Sequence, residues 1–435
     1  MRCLLALLVT ACATTPCPDE PLSRPSETPA FVVRVHDRLP PPDEVTLPGT
    51  DRAPEPFGRG EYASHALYAA DGRLLAERWL DNLTRWEGAA GSVDAASVLP
   101  ARMRPGGLTV LLSDGRRSRV RFETTSGLLL SQRETYTSPP PRGGQLIAET
   151  DLGDGTVLLS RARTDATPAD LLWIDADESE GAPRDVFGLS DLSSGRVTPG
   201  RGAPFTTGAA AERALITLWL EDEPDAGAFA LVTPGDDDVT RVDLPGVSGC
   251  VDAAPVAPSG ETPRVVVLCV GDPTRPAIER DRAGLVLLEA ERTGPPIVAA
   301  TRTQNELFRD YPPSSALVGL AGTWVAYLSE GDATRADVLL AVHMESDAGV
   351  ILWEEDRTEI WGPALGSGDF APGLGGGAGG GVGELWWPST REGVLRFEQT
   401  SEGADARFVT LAAAPQPGCS RLPPRAVRHL PPPAP

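Results

Sequence analysis

Apolar and polar positions along the chain fall into a repeating unit. An apolar strand, a polar turn rich in Asp, Glu or Gly, and a second apolar strand recur seven times between about residue 62 and residue 414. The units are anchored near His65, Ser118, Ala169, Gly227, Ala283, Ala336 and Gly393, at steps of 53, 51, 58, 56, 53 and 57 residues. Strand, turn, strand is the signature of a β-hairpin. Ahead of most hairpins stands another apolar run, beginning at Leu108, Thr156, Ala214, Arg264, Thr323 and Glu384. Several of these runs are continuously apolar, as strands buried on both faces are. Weaker strands start further upstream, at Gln145 and Ala316. Each unit therefore predicts about four strands in some 55 residues, which is one propeller blade. The expected fold is all-β, a β-propeller of seven blades, each of about four antiparallel strands, in one closed domain over residues 59–420.

Two copies of the hairpin start match closely: Asp165-Ala-Thr-Pro-Ala-Asp-Leu-Leu172 and Asp332-Ala-Thr-Arg-Ala-Asp-Val-Leu339. Before the first stands Asp154-Gly155-Thr-Val-Leu-Leu-Ser160, and before the second Gly322-Thr-Trp-Val-Ala-Tyr-Leu-Ser329, each with 15 residues from Gly155 or Gly322 to Asp170 or Asp337. In these two blades the chain resembles the TolB-type, WD40-like propeller repeats of exported bacterial proteins. The other blades share only the period. The resemblance implies a propeller and little about activity, because propellers host binding, scaffolding and catalysis alike.

The ends of the chain carry a different pattern. Met1-Arg2 supplies a positive charge and Cys3 to Val9 a seven-residue apolar run, which together read as a secretory signal too short to span a bilayer. Val9-Thr10-Ala11-Cys12 resembles a bacterial lipobox, which makes Cys12 the expected lipidation site, and Ala11-Cys12-Ala13 also fits an ordinary secretory cleavage site. Residues 1–12 are thus read as a signal peptide with a lipobox. Residues 13–58, rich in Pro, Ser, Thr and acids, read as a tether, and 421–435 as a Pro-rich tail. Within the tether, the apolar run Phe31 to Val35 could supply an edge strand to the first or last repeat. The expectation is an exported cell-envelope lipoprotein, in the outer membrane or periplasm, attached to the membrane by its lipid.

Export changes the reading of cysteine. Cys250 and Cys269 flank a Pro/Gly turn on neighbouring predicted strands and form the expected disulfide. Cys17 and Cys419 bracket the array and are a possible second pair, stapling the ends of a closed ring. Without C-x-x-C spacing and with four scattered His, metal binding by these residues is not expected.

A formal net charge of −22, with 39 basic residues that are all Arg, excludes nucleic acid as a natural partner and favours a monomer by self-repulsion. The acidic turns Asp151–Asp154, Asp175–Glu180, Glu221–Glu223 and Asp236–Asp238 read as solvated hairpin tips. Asp175, Asp177 and Ser179 begin like a calcium loop, but Gly181 falls one place late and Val186 stands where a bidentate Glu would close it. No cofactor is expected, with calcium the one ion left open. There is no G-x-S-x-G elbow, His36 and His429 lie in Pro-rich or terminal stretches, and His65 and His343 read as packed or edge-facing side chains, so no catalytic, cofactor or metal residue is assigned. Trp173, Trp219, Trp324 and Trp353 are expected to fill space between blades, and Trp386-Trp387, next to the Gly-rich stretch 366–383, a blade strand. The functional expectation is a binding or scaffold module for a protein or glycan partner. The alternative is a secreted propeller enzyme, a glycan hydrolase or lyase, using channel carboxylates.

Overall fold

The computed structural model describes residues 31–38 and 61–79, the strands between 102 and 136, much of 146–174 and most of 185–356. It then describes 369–371, 383–389, 393–400, 403–411 and 424–429. Among the described residues, 28 strands form seven four-stranded antiparallel sheets. Blade 1 holds β1 (Phe31–Arg38), β2 (Glu61–Tyr68) and β3 (Leu74–Trp79). Blade 2 holds β4 (Arg102–Arg104), β5 (Gly107–Leu111), β6 (Arg116–Phe122) and β7 (Leu129–Tyr136). Blade 3 holds β8 (Leu146–Asp151), β9 (Val157–Arg161), β10 (Asp170–Ile174) and β11 (Asp185–Gly188). Blade 4 holds β12 (Val197–Pro204), β13 (Ala214–Leu220), β14 (Gly227–Val232) and β15 (Thr240–Leu244). Blade 5 holds β16 (Cys250–Val256), β17 (Arg264–Val270), β18 (Ala283–Glu289) and β19 (Ile297–Arg302). Blade 6 holds β20 (Ser315–Gly319), β21 (Trp324–Ser329), β22 (Asp337–His343) and β23 (Gly349–Glu355). Blade 7 holds β24 (Asp369–Ala371), β25 (Glu384–Ser389), β26 (Gly393–Thr400) and β27 (Gly403–Thr410). The last strand, β28 (Pro424–His429), returns to blade 1 and gives it the order β28-β1-β2-β3.

The seven anchors of the periodic pattern mark the third and fourth strands of the seven blades, and the upstream apolar runs are the second strands. The apolar alternation is sorted by neighbour. On β13, Ile216, Leu218 and Leu220 pack toward blade 3, whereas Leu215 packs toward blade 5. On β17, Val265, Val267 and Cys269 face blade 4, and Val266, Leu268 and Val270 face blade 6. A second strand is thus sandwiched between two blades, which is why both its even and odd positions must be apolar. The core is a series of inter-blade layers. Fourth strands lie outermost, and the exposed large apolar side chains Val186, Ile297, Val298, Val350 and Ile351 all stand on them.

Ring closure corrects three expectations. The propeller reaches outside 59–420, since Phe31–Arg38 pairs with β2 on one side and with β28 on the other. The run at Phe31 is therefore an interior strand of a sheet rather than an edge. His36 and His429 belong to this closing sheet and not to a tether and a tail. The physical reason is that a ring of sheets has two free ends, and pairing C-terminal β28 with N-terminal β1 satisfies the backbone groups that both ends would leave unpaired.

The innermost strands share a distortion. Where β8, β12, β16, β20 and β28 pair with the next strand of their blade, the register slips by one residue, at Leu146/Ala148, Pro199/Gly202, Cys250/Asp252, Ser315/Leu317 and opposite Arg34/Val35. A bulge of this kind bends the strand and re-aims its side chains and N–H groups. In β20 the extra residue, Ala316, has φ +50°, a left-handed conformation that is uncommon for Ala. Cys250 and Cys269 face each other across β16 and β17, one residue before the bulge, and are joined with S–S 2.06 Å. Cys12, Cys17 and Cys419 lie outside the described residues.

Candidate functional site

Two polar assemblies stand out, one on the axial strands and one at an end of blade 6. The axial assembly runs across four consecutive blades. Thr150 on β8 accepts the N–H of Gly202 on β12 at 2.8 Å. Arg201, in the β12 bulge, donates through Nε to Asp252 Oδ1 at 2.6 Å and through Nη2 to Oδ2 at 2.8 Å. Its Nη2 also donates to the carbonyl of Leu317 on β20 at 2.8 Å. Asp252 accepts two further bonds, from Ala253 N–H at 2.8 Å and Leu317 N–H at 2.9 Å. The bulges make this possible by turning N–H groups away from the ladder and toward the preceding blade. Glycine makes room: a Cβ at Gly200 would lie 2.3 Å from the carbonyl oxygen of Val251, and one at Gly202 1.9 Å from that of Leu215.

Burial pushes the Asp252 carboxyl above its ordinary value, opposed by the Arg201 guanidinium and the two backbone donors. Each Asp252 oxygen receives two donors, so the carboxylate has no lone pair left over for a substrate proton or a metal ion. This assembly is equipped to hold blades together. Sequence reasoning did not single it out, although Thr150, Arg201 and Asp252 recur at intervals of 51 residues. That common step was the available signal.

The second assembly is a cavity of about 460 Å³, lined by Arg309, Asp310, Tyr311, Ser329, Glu330, Arg335, Ala336, Val338 and Glu354. One wall is the helix α1 (Glu306–Asp310) with Tyr311, which lead into blade 6. That wall is pinned from below: Phe308 stacks on Tyr327 at 5.7 Å, and the Tyr327 hydroxyl donates to the Tyr311 carbonyl at 3.0 Å. Burial pushes the Tyr327 phenol well above its ordinary value, so it stays a donor. The guanidinium of Arg335 reaches across to the carbonyl of Asp310. Ser329, at the end of β21, is only 4% exposed. Its hydroxyl makes no hydrogen bond with another described residue.

The remaining candidates are dispersed. His343 ends β22, with its Nε2 2.9 Å from the Thr323 hydroxyl and its Nδ1 3.0 Å from that of Ser346, and packs edge-on to Trp324 at 5.3 Å. Its place on the third strand of a blade puts it away from the axis. His65 lies on β2, paired with Arg34 and Arg78. Trp173, Trp386 and Trp387 are fully enclosed, whereas Trp219, Trp324 and Trp353 are half-buried. Of the acidic turns, Asp175–Glu180 and Asp236–Asp238 lie outside the described residues. Glu221–Glu223 is not a free solvated tip. Glu223 accepts Arg241 Nη2 at 2.8 Å, and Arg241 with Ser193 draws its carboxyl down to about 2. Asp222 accepts the N–H of Arg196 at 2.8 Å.

No family model matches the sequence, and no curated protein matches it. Solved structures do. The chain is similar to the cobalt-substituted apocarotenoid oxygenase (ACO) of Synechocystis, with 12% identity, 94% of each chain covered and a TM-score of 0.52. A mutant of the same oxygenase matches at 12% identity, with 94% of each chain covered and a TM-score of 0.51. An ACO/RPE65 chimera matches at 11% identity, with 94% of each chain covered and a TM-score of 0.52. At this identity the likeness shows the fold, an all-β propeller, and nothing of the chemistry.

The comparison corrects the expectation of no cofactor with calcium as the open ion. A cobalt-substituted enzyme shares this architecture, so the fold accommodates a metal other than calcium, and the lack of a cofactor does not follow from a propeller. The described residues do not fit such a centre. Among them no three His, Cys, Asp or Glu side chains converge to hold a metal. Asp252, the buried carboxylate on an axial strand, is saturated by Arg201 and backbone donors.

Proposed function

We propose that this chain is an exported propeller of the TolB-like kind that recognises a protein or glycan partner and performs no chemistry on it. One contrast carries the reading. Asp252, an axial carboxylate of the kind a hydrolase or lyase would use, is occupied on all sides, while the cavity on blade 6 keeps polar groups open to a ligand. The lipobox at Cys12 supports attachment to the cell envelope, with the propeller displayed in the periplasm or at the outer membrane and with self-repulsion from a charge of −22 keeping it monomeric.

The competing reading is the oxygenase activity named for the similar structures, favoured only by the fold. Two measurements separate them. The purified chain should bind isolated envelope fractions, and a double variant Arg335→Ala/Glu354→Ala should lose that binding; retention would remove the cavity from the reading. Stoichiometric iron in the purified protein, with oxygen-dependent cleavage of an apocarotenoid, would replace recognition by catalysis. Metabolic labelling with a lipid probe tests the anchor, and labelling that persists in Cys12→Ala would refute it.

A further inference from the structure

We propose that the cavity on blade 6 is a saccharide site that takes a neutral, polyhydroxylated ring. The proposal rests on the recognition reading above and gives it a ligand class. Four observations carry it. First, the volume of about 460 Å³ falls in the range of small-ligand pockets, roughly 300–1,000 Å³. Second, Arg309, Asp310, Glu330, Arg335 and Glu354 charge five of its nine lining positions, so it is no home for a lipophilic molecule. Third, two guanidinium groups face three carboxylates. The excess of one negative charge disfavours a phosphate or other anion, the two guanidinium groups offset much of the pull on a simple cation, and no trio of acids converges on a metal position among the described residues. Hydroxyl groups, which donate and accept at once, can use both kinds of partner through charge-assisted bonds.

Fourth, Ser329 lines the cavity with a hydroxyl that bonds to no other described residue, in a residue that is 4% exposed. Its Oγ is not sealed from solvent, so a ligand hydroxyl or a water in the cavity can bond to it. Neither the Glu354 carboxylate nor the Arg309 guanidinium bonds to another described residue, so both remain open to a ligand. Ala336 and Val338 add a small apolar floor against which the C–H face of a ring can lie.

The experiment uses the full-length chain with glucose, galactose, N-acetylglucosamine and their β-linked disaccharides, followed by saturation-transfer NMR and calorimetry. Glycine and inorganic phosphate serve as the zwitterionic and anionic probes. At least one sugar should bind, and Ser329→Ala and Glu354→Gln should each weaken it by about tenfold with an unchanged melting temperature. Absence of binding by every sugar, stronger binding of glycine or phosphate, or sugar binding that neither variant alters would each overturn the assignment. Envelope binding that survives while every sugar fails would sink the saccharide and leave the recognition reading standing.

Discussion

Ser160 in blade 3 and Ser329 in blade 6 stand at the same place in their repeats. Each pairs across its sheet with the residue after the matching aspartate, Ser160 with Leu171 and Ser329 with Val338. Their fates differ. The Ser160 hydroxyl donates to the carbonyl of Gly200 in the next blade at 3.0 Å, whereas that of Ser329 opens into a cavity. The aspartates diverge as well: Asp170 pairs with Arg161 across its hairpin, while Asp337 is fully enclosed and accepts the N–H of Gly331 at 2.7 Å. A repeated position is therefore not a repeated function. What the neighbouring blade offers decides whether a polar group is tied up in holding the ring or left for a ligand.

The axial assembly is the extreme of the tied-up case, and its loss should have the largest effect. Asp252→Ala leaves Arg201 buried without its partner and should cost about 3–5 kcal/mol in chemical denaturation. A cost below about 1 kcal/mol would mean that the ion pair does not join blades 4, 5 and 6. Next comes the disulfide that precedes the Asp252 bulge. Cys250→Ala/Cys269→Ala opens a link of sequence separation 19 and should lower stability by about 3 kcal/mol, with no further loss on adding reductant.

The serine pair tests the contrast itself. Ser160→Ala should destabilise by about 1 kcal/mol through the loss of its inter-blade bond, and Ser329→Ala by less than about 0.5 kcal/mol. Equal costs would erase the distinction between a tied and an open hydroxyl. The smallest effect is a pH dependence. Glu223 has its carboxyl drawn from 4.5 to about 2 in the folded chain, so its contribution is present above about pH 4.5 and fades as the pH falls toward 2. Glu223→Gln should flatten stability against pH in that window, with the small loss seen at pH 7 and little difference from the parent chain near pH 2.

Much of the architecture was legible along the chain because it is local. A hairpin needs two apolar strands and a turn, and a blade held between two others needs apolar residues at even and odd positions alike. Runs such as Val265–Val270 announce that environment without reference to any distant residue. The closing strands were not legible in the same way. Pro424–His429 carries Arg, Pro and His among few apolar residues, and only its pairing with Phe31–Arg38, nearly 400 positions away, makes it a strand. The bulges left no mark either, since Val251, Ala316 and Arg425 share no residue type.

The chain alone thus determined the period, the seven hairpins and the meeting of Cys250 with Cys269 across adjacent strands, because hydrophobic alternation and short turns are written in neighbouring residues. Only the tertiary structure decided how the ring closes, that Asp252 is saturated while Ser329 is open, and where a cavity forms. Those outcomes depend on which blade stands beside which, and on hydrogen bonds between residues 40 to 65 positions apart.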